Sequence, residues 1–164
     1  MLKAGLVLTD IPSIAFRVTN FNAENMATLE QHWEAIGTAM RLAATLFSDF
    51  GFSGQTLTAD SVVIPVAYYI YRRGNDDKLL TSPKWADDRE AIRRWVCRSL
   101  LRPGAVWGSG LDQLLLAIRA SIKEHGDECF PVEAIEAAMT KRGKSLRFED
   151  AVDVDSGRPI CSLT

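Results

Sequence analysis

Met26, Leu29, Trp33, Ile36, Met40, Ala43, Phe47 and Phe50 recur at spacings of three and four. Only an α-helix gathers such positions onto one face, because a strand repeats every second residue. The pattern predicts one long amphipathic helix over Glu24–Phe50, stopped by Gly51 just past its end. Asn20–Asn25 ahead of it is rich in turn and capping residues, and Thr28 with Gln31 would form a capping box for a late start. An apolar stripe of this length must be covered by other elements.

The rest of the chain supplies that cover mostly in helical form. Leu2–Thr9 predicts a short helix ended by Ile11-Pro12, since the residue before proline is pushed out of the helical region. Ile14–Val18 alternates and predicts an extended segment. Thr58 is placed to cap an apolar helix over Ala59–Arg73, with Pro65 either kinking it or lying in a broken first turn. A strand over Val62–Tyr71 is the competing assignment and would need Pro65 at a sheet edge. Asn75–Ala86 reads as a loop.

Asp87 or Asp88 caps the next helix, whose buried face holds Ile92, Trp95, Val96, Ser99 and Leu100 and which Pro103-Gly104 ends. Ser109 with Asp112 predicts a capping box for Leu111–Lys123, with Leu111, Leu114, Leu115, Ile118 and Ile122 as its stripe. Pro131 suits the start of Val132–Arg142, and Gly143 its end. Leu146–Val154 predicts a second minor extended segment. The sum is a mainly α, irregular bundle of about five or six helices forming a single unit over residues 1–164.

A chain of 164 residues with 47% hydrophobic and 24% charged side chains can bury a real core and is not disordered in composition. Leu2–Leu8 starts apolar without a cap and Arg158–Thr164 stops half-apolar, which predicts a piece of a longer chain cut at both ends. The apolar runs are too short to cross a bilayer, and no basic-then-apolar leader is predicted. Cys97, Cys129 and Cys161 are odd in number and widely spaced, predicting reduced thiols in a cytoplasmic chain.

The formal net charge of −2 excludes a uniformly basic coat, yet the charge is unevenly spread. Tyr68–Arg102 carries nine Lys/Arg against five Asp/Glu, a local balance of +4 that leaves −6 elsewhere. Arg93, Arg94, Arg98 and Arg102, with Trp107, are the candidates for a nucleic-acid or inter-domain contact, since guanidinium groups meet phosphates and an indole can stack on a base. The plainer alternative is a wet outer helix face.

Other chemistry is excluded more easily. Trp107-Gly108-Ser109-Gly110 precedes a helix but is neither a dinucleotide nor a Walker sequence, and helix capping accounts for Ser109. Asp87, Asp88 and Glu90 stand in a helix's first turn, where the N-terminal dipole explains acidic residues. Ser61, Ser99, Ser109 and Ser121 have only His32 and His125 as possible bases, with no nucleophile elbow. His32 has no metal-ligand partner at helical spacing. Catalytic, cofactor-binding and metal-binding residues are therefore all assigned as none.

The succession LKAGLVLTDIPSIAFRVTNF, HWEAI, LTADSVVIPVAYYIYRRG, IRRWVCRSLLRPGAVWGSGLDQLLLAIR and FPVEAI resembles the helical region of GmrSD-type proteins, a prokaryotic domain-of-unknown-function family. In these, a ParB/sulfiredoxin-like nucleotide-hydrolysing domain precedes the helical region, and an HNH endonuclease part lies in cis or in a partner. Several act in modification-dependent restriction or phage defence. The resemblance covers most of the chain and is most specific around Trp95–Leu115. It implies a non-catalytic segment without a cofactor of its own, supporting or coupling the nucleotidase and nuclease domains of its own chain, with DNA as a further partner. The family's acidic-Gly-Gln-Gln-Arg motif and its HNH histidines and asparagine have no counterpart here, so no catalytic residue carries over. Trp107-Gly108-Ser109-Gly110-Leu111-Asp112 keeps the family turn's aromatic, Ser and Asp but not its spacing. The rival expectation is a protein-interaction or oligomerisation module whose exposed apolar face docks a partner or a second copy.

Overall fold

The computed structural model describes residues 2–146. Eight α-helices follow one another: α1 (Leu2–Leu8), α2 (Ala23–Gln31), α3 (Trp33–Asp49), α4 (Val63–Arg72), α5 (Lys78–Thr81), α6 (Ala86–Leu100), α7 (Leu111–His125) and α8 (Val132–Thr140). A π-helical turn at Gly104–Gly108 joins α6 to α7. No β-strand occurs among the described residues. The all-α class holds, but the bundle has more and shorter helices than the five or six expected. Ile14–Val18 is irregular and passes into a 3-10 turn at Val18–Asn20 rather than a strand. Of the extended segment expected at Leu146–Val154, all but Leu146 lies outside the described residues.

The helix from Val63 to Arg72 is the centre of the bundle. Ile64 through Ile70 are all buried, so it is apolar on every side, as befits a helix with neighbours all round. It packs most extensively on α3 and also on α7 and α1. Pro65 is the third residue of α4, where the missing N–H would have had no intrahelical partner. The broken-first-turn alternative is therefore the one realised. Thr58 does not cap it; a 3-10 turn at Asp60–Val62 leads in instead.

The long helix expected over Glu24–Phe50 is two helices. At His32 the backbone leaves helical values (φ −101°, ψ 6°), and α3 restarts at Trp33. Asn22 is the actual N-cap, its side chain accepting from the Asn25 N–H. The Thr28 hydroxyl donates back to the Glu24 carbonyl, so the Thr28–Gln31 box is absent. The break lets Leu29 of α2 close on α1, while Ile36, Ala39, Ala43, Leu46 and Phe47 of α3 face the core. Periodicity cannot reveal the break, because Leu29 and Ile36 keep helical spacing across it.

Cross-links fix how the other helices run. Lys3 of α1 pairs with Asp112 at the start of α7, and Arg119 of α7 donates to the Leu6 and Ile11 carbonyls at the end of α1. These contacts set α1 and α7 parallel. Ser121 donates to the Ala134 carbonyl, and Arg142 reaches Gln113, which makes α7 and α8 an antiparallel hairpin. Gly51 (φ 87°) and Gly143 (φ 71°) close α3 and α8 in left-handed geometry, in the roles expected of them.

Candidate functional site

Asp88 lies in the first turn of α6, yet it is only 6% exposed. The Tyr69 hydroxyl donates to Asp88 Oδ2 at 2.5 Å, and the Phe130 backbone N–H donates to Oδ1 at 3.0 Å. One carboxylate thus ties α4, α6 and the α7–α8 connection together. A buried carboxylate is stable only when such donors replace its water. Burial, followed by the hydrogen bond to Asp88, holds the Tyr69 hydroxyl far above its ordinary range, so it stays protonated and keeps donating. Asp88 does stand in the first turn, as expected, but it is an internal tether; the expectation that Asp87 or Asp88 caps the helix is corrected, since Trp85 occupies the N-cap position.

Around the tether, aromatic rings pack edge to face. Phe130 meets Tyr69 at 5.3 Å and Trp95 at 5.6 Å, and Trp95 meets Trp107 at 6.0 Å with an 86° interplanar angle. Trp107 is 6% exposed, and neither indole N–H finds an acceptor among the described residues, so packing holds the pair. Trp107 was expected to offer a stacking face to a base. Its ring is spent on the core, and that expectation is corrected. The π-helical turn produces this result: its wider spacing folds Val106 and Trp107 inward beneath α6.

The arginine track divides in the same way. Arg93 makes a bidentate contact with Glu90 at 2.8 and 2.9 Å, and Arg94 reaches the same carboxylate at 3.3 Å while remaining 71% exposed. The Arg93 hydrogen bonds hold the Glu90 carboxyl below its ordinary range. Arg98 crosses to Glu136 of α8. Arg102, exposed after the end of α6, stands next to Leu101, whose side chain is 55% exposed. The track is not one continuous basic surface: Arg93, Arg94 and Arg98 all meet carboxylates, and of these three only Arg94 is largely exposed, as is Arg102 beyond the helix end.

Other cations of the basic stretch are also committed within the fold. Arg89 donates to the Leu79 and Ser82 carbonyls, and the Arg73 guanidinium lies 4.7 Å over the Trp85 ring. Ser109 does not cap α7 either. Gly110, left-handed at φ 69°, occupies the N-cap position, and Asp112 serves Lys3. The expected capping box is absent, because the N-cap falls one residue later, on a glycine without a side chain to cap with.

A cleft of about 370 Å³ opens between α6 and the start of α8. Trp95, Phe130 and Val132 form its apolar lining, with Asp87, Arg94, Arg98 and Glu133 contributing charge and Cys129 exposed beside them. Among the described residues, no group of three or more His, Cys, Asp or Glu side chains could hold a metal ion. No described helix is long and apolar enough to cross a membrane.

Asp88 and Trp107 are the residues that sequence reasoning misplaced, whereas Trp95 lies on the buried face expected of it. One signal was available for Asp88: it precedes Ile92 by four and Trp95 by seven, and so shares their buried face. Compared with known families and curated proteins, the chain matches no family model and no curated protein.

Proposed function

We propose that this chain is a non-catalytic helical module similar to the helical region of GmrSD-type restriction and phage-defence proteins, coupling a nucleotide-hydrolysing domain to a nuclease or to DNA. The observation that carries the coupling role is the exposure of Arg94 in the middle of α6 and of Leu101 and Arg102 just past its end, on the helix that Asp88 and Trp95 tie to the core. Two exposed guanidinium groups along one helix and its end suit a phosphate backbone or an acidic domain surface. A rigid base beneath them would transmit movement of α6 to α4 and α8 through Asp88. The segment that carries the family resemblance most specifically, Trp95–Leu115, includes Leu101, Arg102 and the buried Trp95–Trp107 pair.

The test is DNA binding by the R94E/R102E double variant. Each reversal removes one surface phosphate contact, so affinity falls and the slope of log affinity against log salt drops by about one to two units. Unchanged affinity and slope would sink the DNA arm. Loss of docking to a nucleotidase or nuclease domain, with DNA binding unchanged, would assign these arginines to inter-domain contact.

A second observation favours the interaction-module alternative. Trp33 is 46% exposed and Leu2 39% exposed on another part of the surface. Large apolar side chains grouped on an exterior mark docking surfaces.

A further inference from the structure

Leu2 of α1, Met26, Leu29 and Glu30 of α2, and Trp33 at the start of α3 line a groove of about 390 Å³. Leu29 forms a buried floor, whereas Leu2 and Trp33 stand exposed at its sides. The groove lies at the helix break at His32: Leu29 of α2 sits against Gly5 of α1, and Trp33 at the start of α3 is left outside the core. Its lining contains no cation. Glu30 lies in it, Glu34 is exposed next to Trp33, and neither makes an ion pair among the described residues. Lys3, the cation adjacent to Leu2, is engaged by Asp112 of α7 at 2.5 Å. An apolar groove with an acidic margin has thus been left without internal compensation.

We infer that this groove docks the apolar face of a basic amphipathic helix from a partner protein. The partner's leucine- or methionine-sized side chains at helical spacing would enter between Leu2, Met26 and Trp33, and its Lys or Arg side chains would meet Glu30 and Glu34. Trp33 is the anchor, as a half-exposed indole in an apolar setting combines large area with little rotamer freedom. A second copy is the poorer occupant. A two-fold interface on this patch would bring two acidic margins and no lining cation into one small contact, and like charges gathered together oppose association. DNA is excluded by the sign of the margin. The inference is built from α1, α2 and α3 and does not rest on the family-based proposal made for α6.

The test is titration of the whole chain with two synthetic helical peptides of identical leucine pattern, one carrying lysine and one glutamate at the polar positions, followed by tryptophan fluorescence and calorimetry. The Leu/Lys peptide is expected to bind more weakly as salt rises, and the Leu/Glu peptide not to bind. W33A should weaken the Leu/Lys peptide about tenfold. E30K/E34K should reverse the preference between the two, with an unchanged helical circular dichroism spectrum as the control for folding. Equal binding of both peptides, binding of neither, or a W33A affinity equal to that of the parent would overturn the inference. Concentration-dependent dimerisation abolished by W33A would overturn it in favour of a second copy.

Discussion

Asp88 decides more than any other single side chain. Its two oxygens satisfy a phenol and a backbone amide that are otherwise buried without partners. D88A would leave both donors unmet, each costing roughly 1–3 kcal/mol. The expected loss in chemical denaturation is therefore a few kcal/mol, larger than for D87A, whose side chain is exposed. D88N keeps an acceptor for one donor and should fall between the two. Equal stability of D88A and D87A would show that the carboxylate does not act as a tether. Asp10 plays a smaller version of the same part. Left-handed at φ 58°, it ends α1, accepts from the Tyr68 hydroxyl at 2.8 Å and pairs with Lys123 at 3.1 Å. In both places a tyrosine of α4 meets an aspartate that looks unremarkable in the sequence.

At the scale of elements, interruptions in the helices matter more than their lengths. The break at His32 converts one expected helix into an α2 whose Leu29 meets Gly5 of α1 and an α3 that packs extensively on α4, and the His32 ring then meets the Tyr71 hydroxyl at 3.0 Å. The π-helical turn sends Trp107 inward. Gly110 permits the tight entry into α7, since its positive φ costs an L-residue about 1–2 kcal/mol. A Cβ there would meet nothing within 4 Å. G110A is thus a nearly pure test of backbone strain, and a loss of about 1 kcal/mol is expected from thermal or denaturant unfolding. A gain in stability would mean that α7 begins in another conformation. Helical spacing made the buried stripes of α6 and α7 legible. Ile92, Trp95, Val96, Ser99, Leu114, Leu115, Ile118 and Ile122 are all buried. The break at His32 was not legible because helical spacing persists across it, and the π-helical turn was not because it spans only five residues, too few to show a period of its own.

At the scale of the whole molecule, the two buried tyrosines of α4 couple folding to alkaline pH. Burial first, and then the hydrogen bonds to Asp10 and Asp88, raise Tyr68 and Tyr69 well above the ordinary tyrosine value near 10. The folded state therefore holds its phenolic protons where the unfolded chain has released them. Their stabilisation is complete below about pH 10 and is lost progressively above it, at a slope approaching ~1.4 kcal/mol per pH unit for each group. Denaturation curves collected from neutral to strongly alkaline pH should show this decline, and Y69F should remove about half of it despite its lower starting stability. A pH-independent midpoint above 10 would contradict the buried geometry. On the same scale, cations that looked like one basic surface are distributed among Glu90, Glu136, backbone carbonyls and an indole face, and the proposed contact falls to Arg94, exposed despite its pairing with Glu90, and to Arg102.

The sequence by itself determined the helical class, the buried stripes of the larger helices and the glycine stops at Gly51 and Gly143, because these depend on local periodicity and backbone freedom. It also placed Pro65 at a helix start or a kink. Only the tertiary structure decided between those two, divided Glu24–Phe50 at His32, buried Asp88 and Trp107, and left Trp33 exposed over a groove with acidic margins. The physical reason is common to all of them. A polar or aromatic side chain goes inward or outward according to which donors, acceptors and apolar surfaces other helices bring to it, and those partners lie far along the chain: 42 residues separate Asp88 from the amide it accepts.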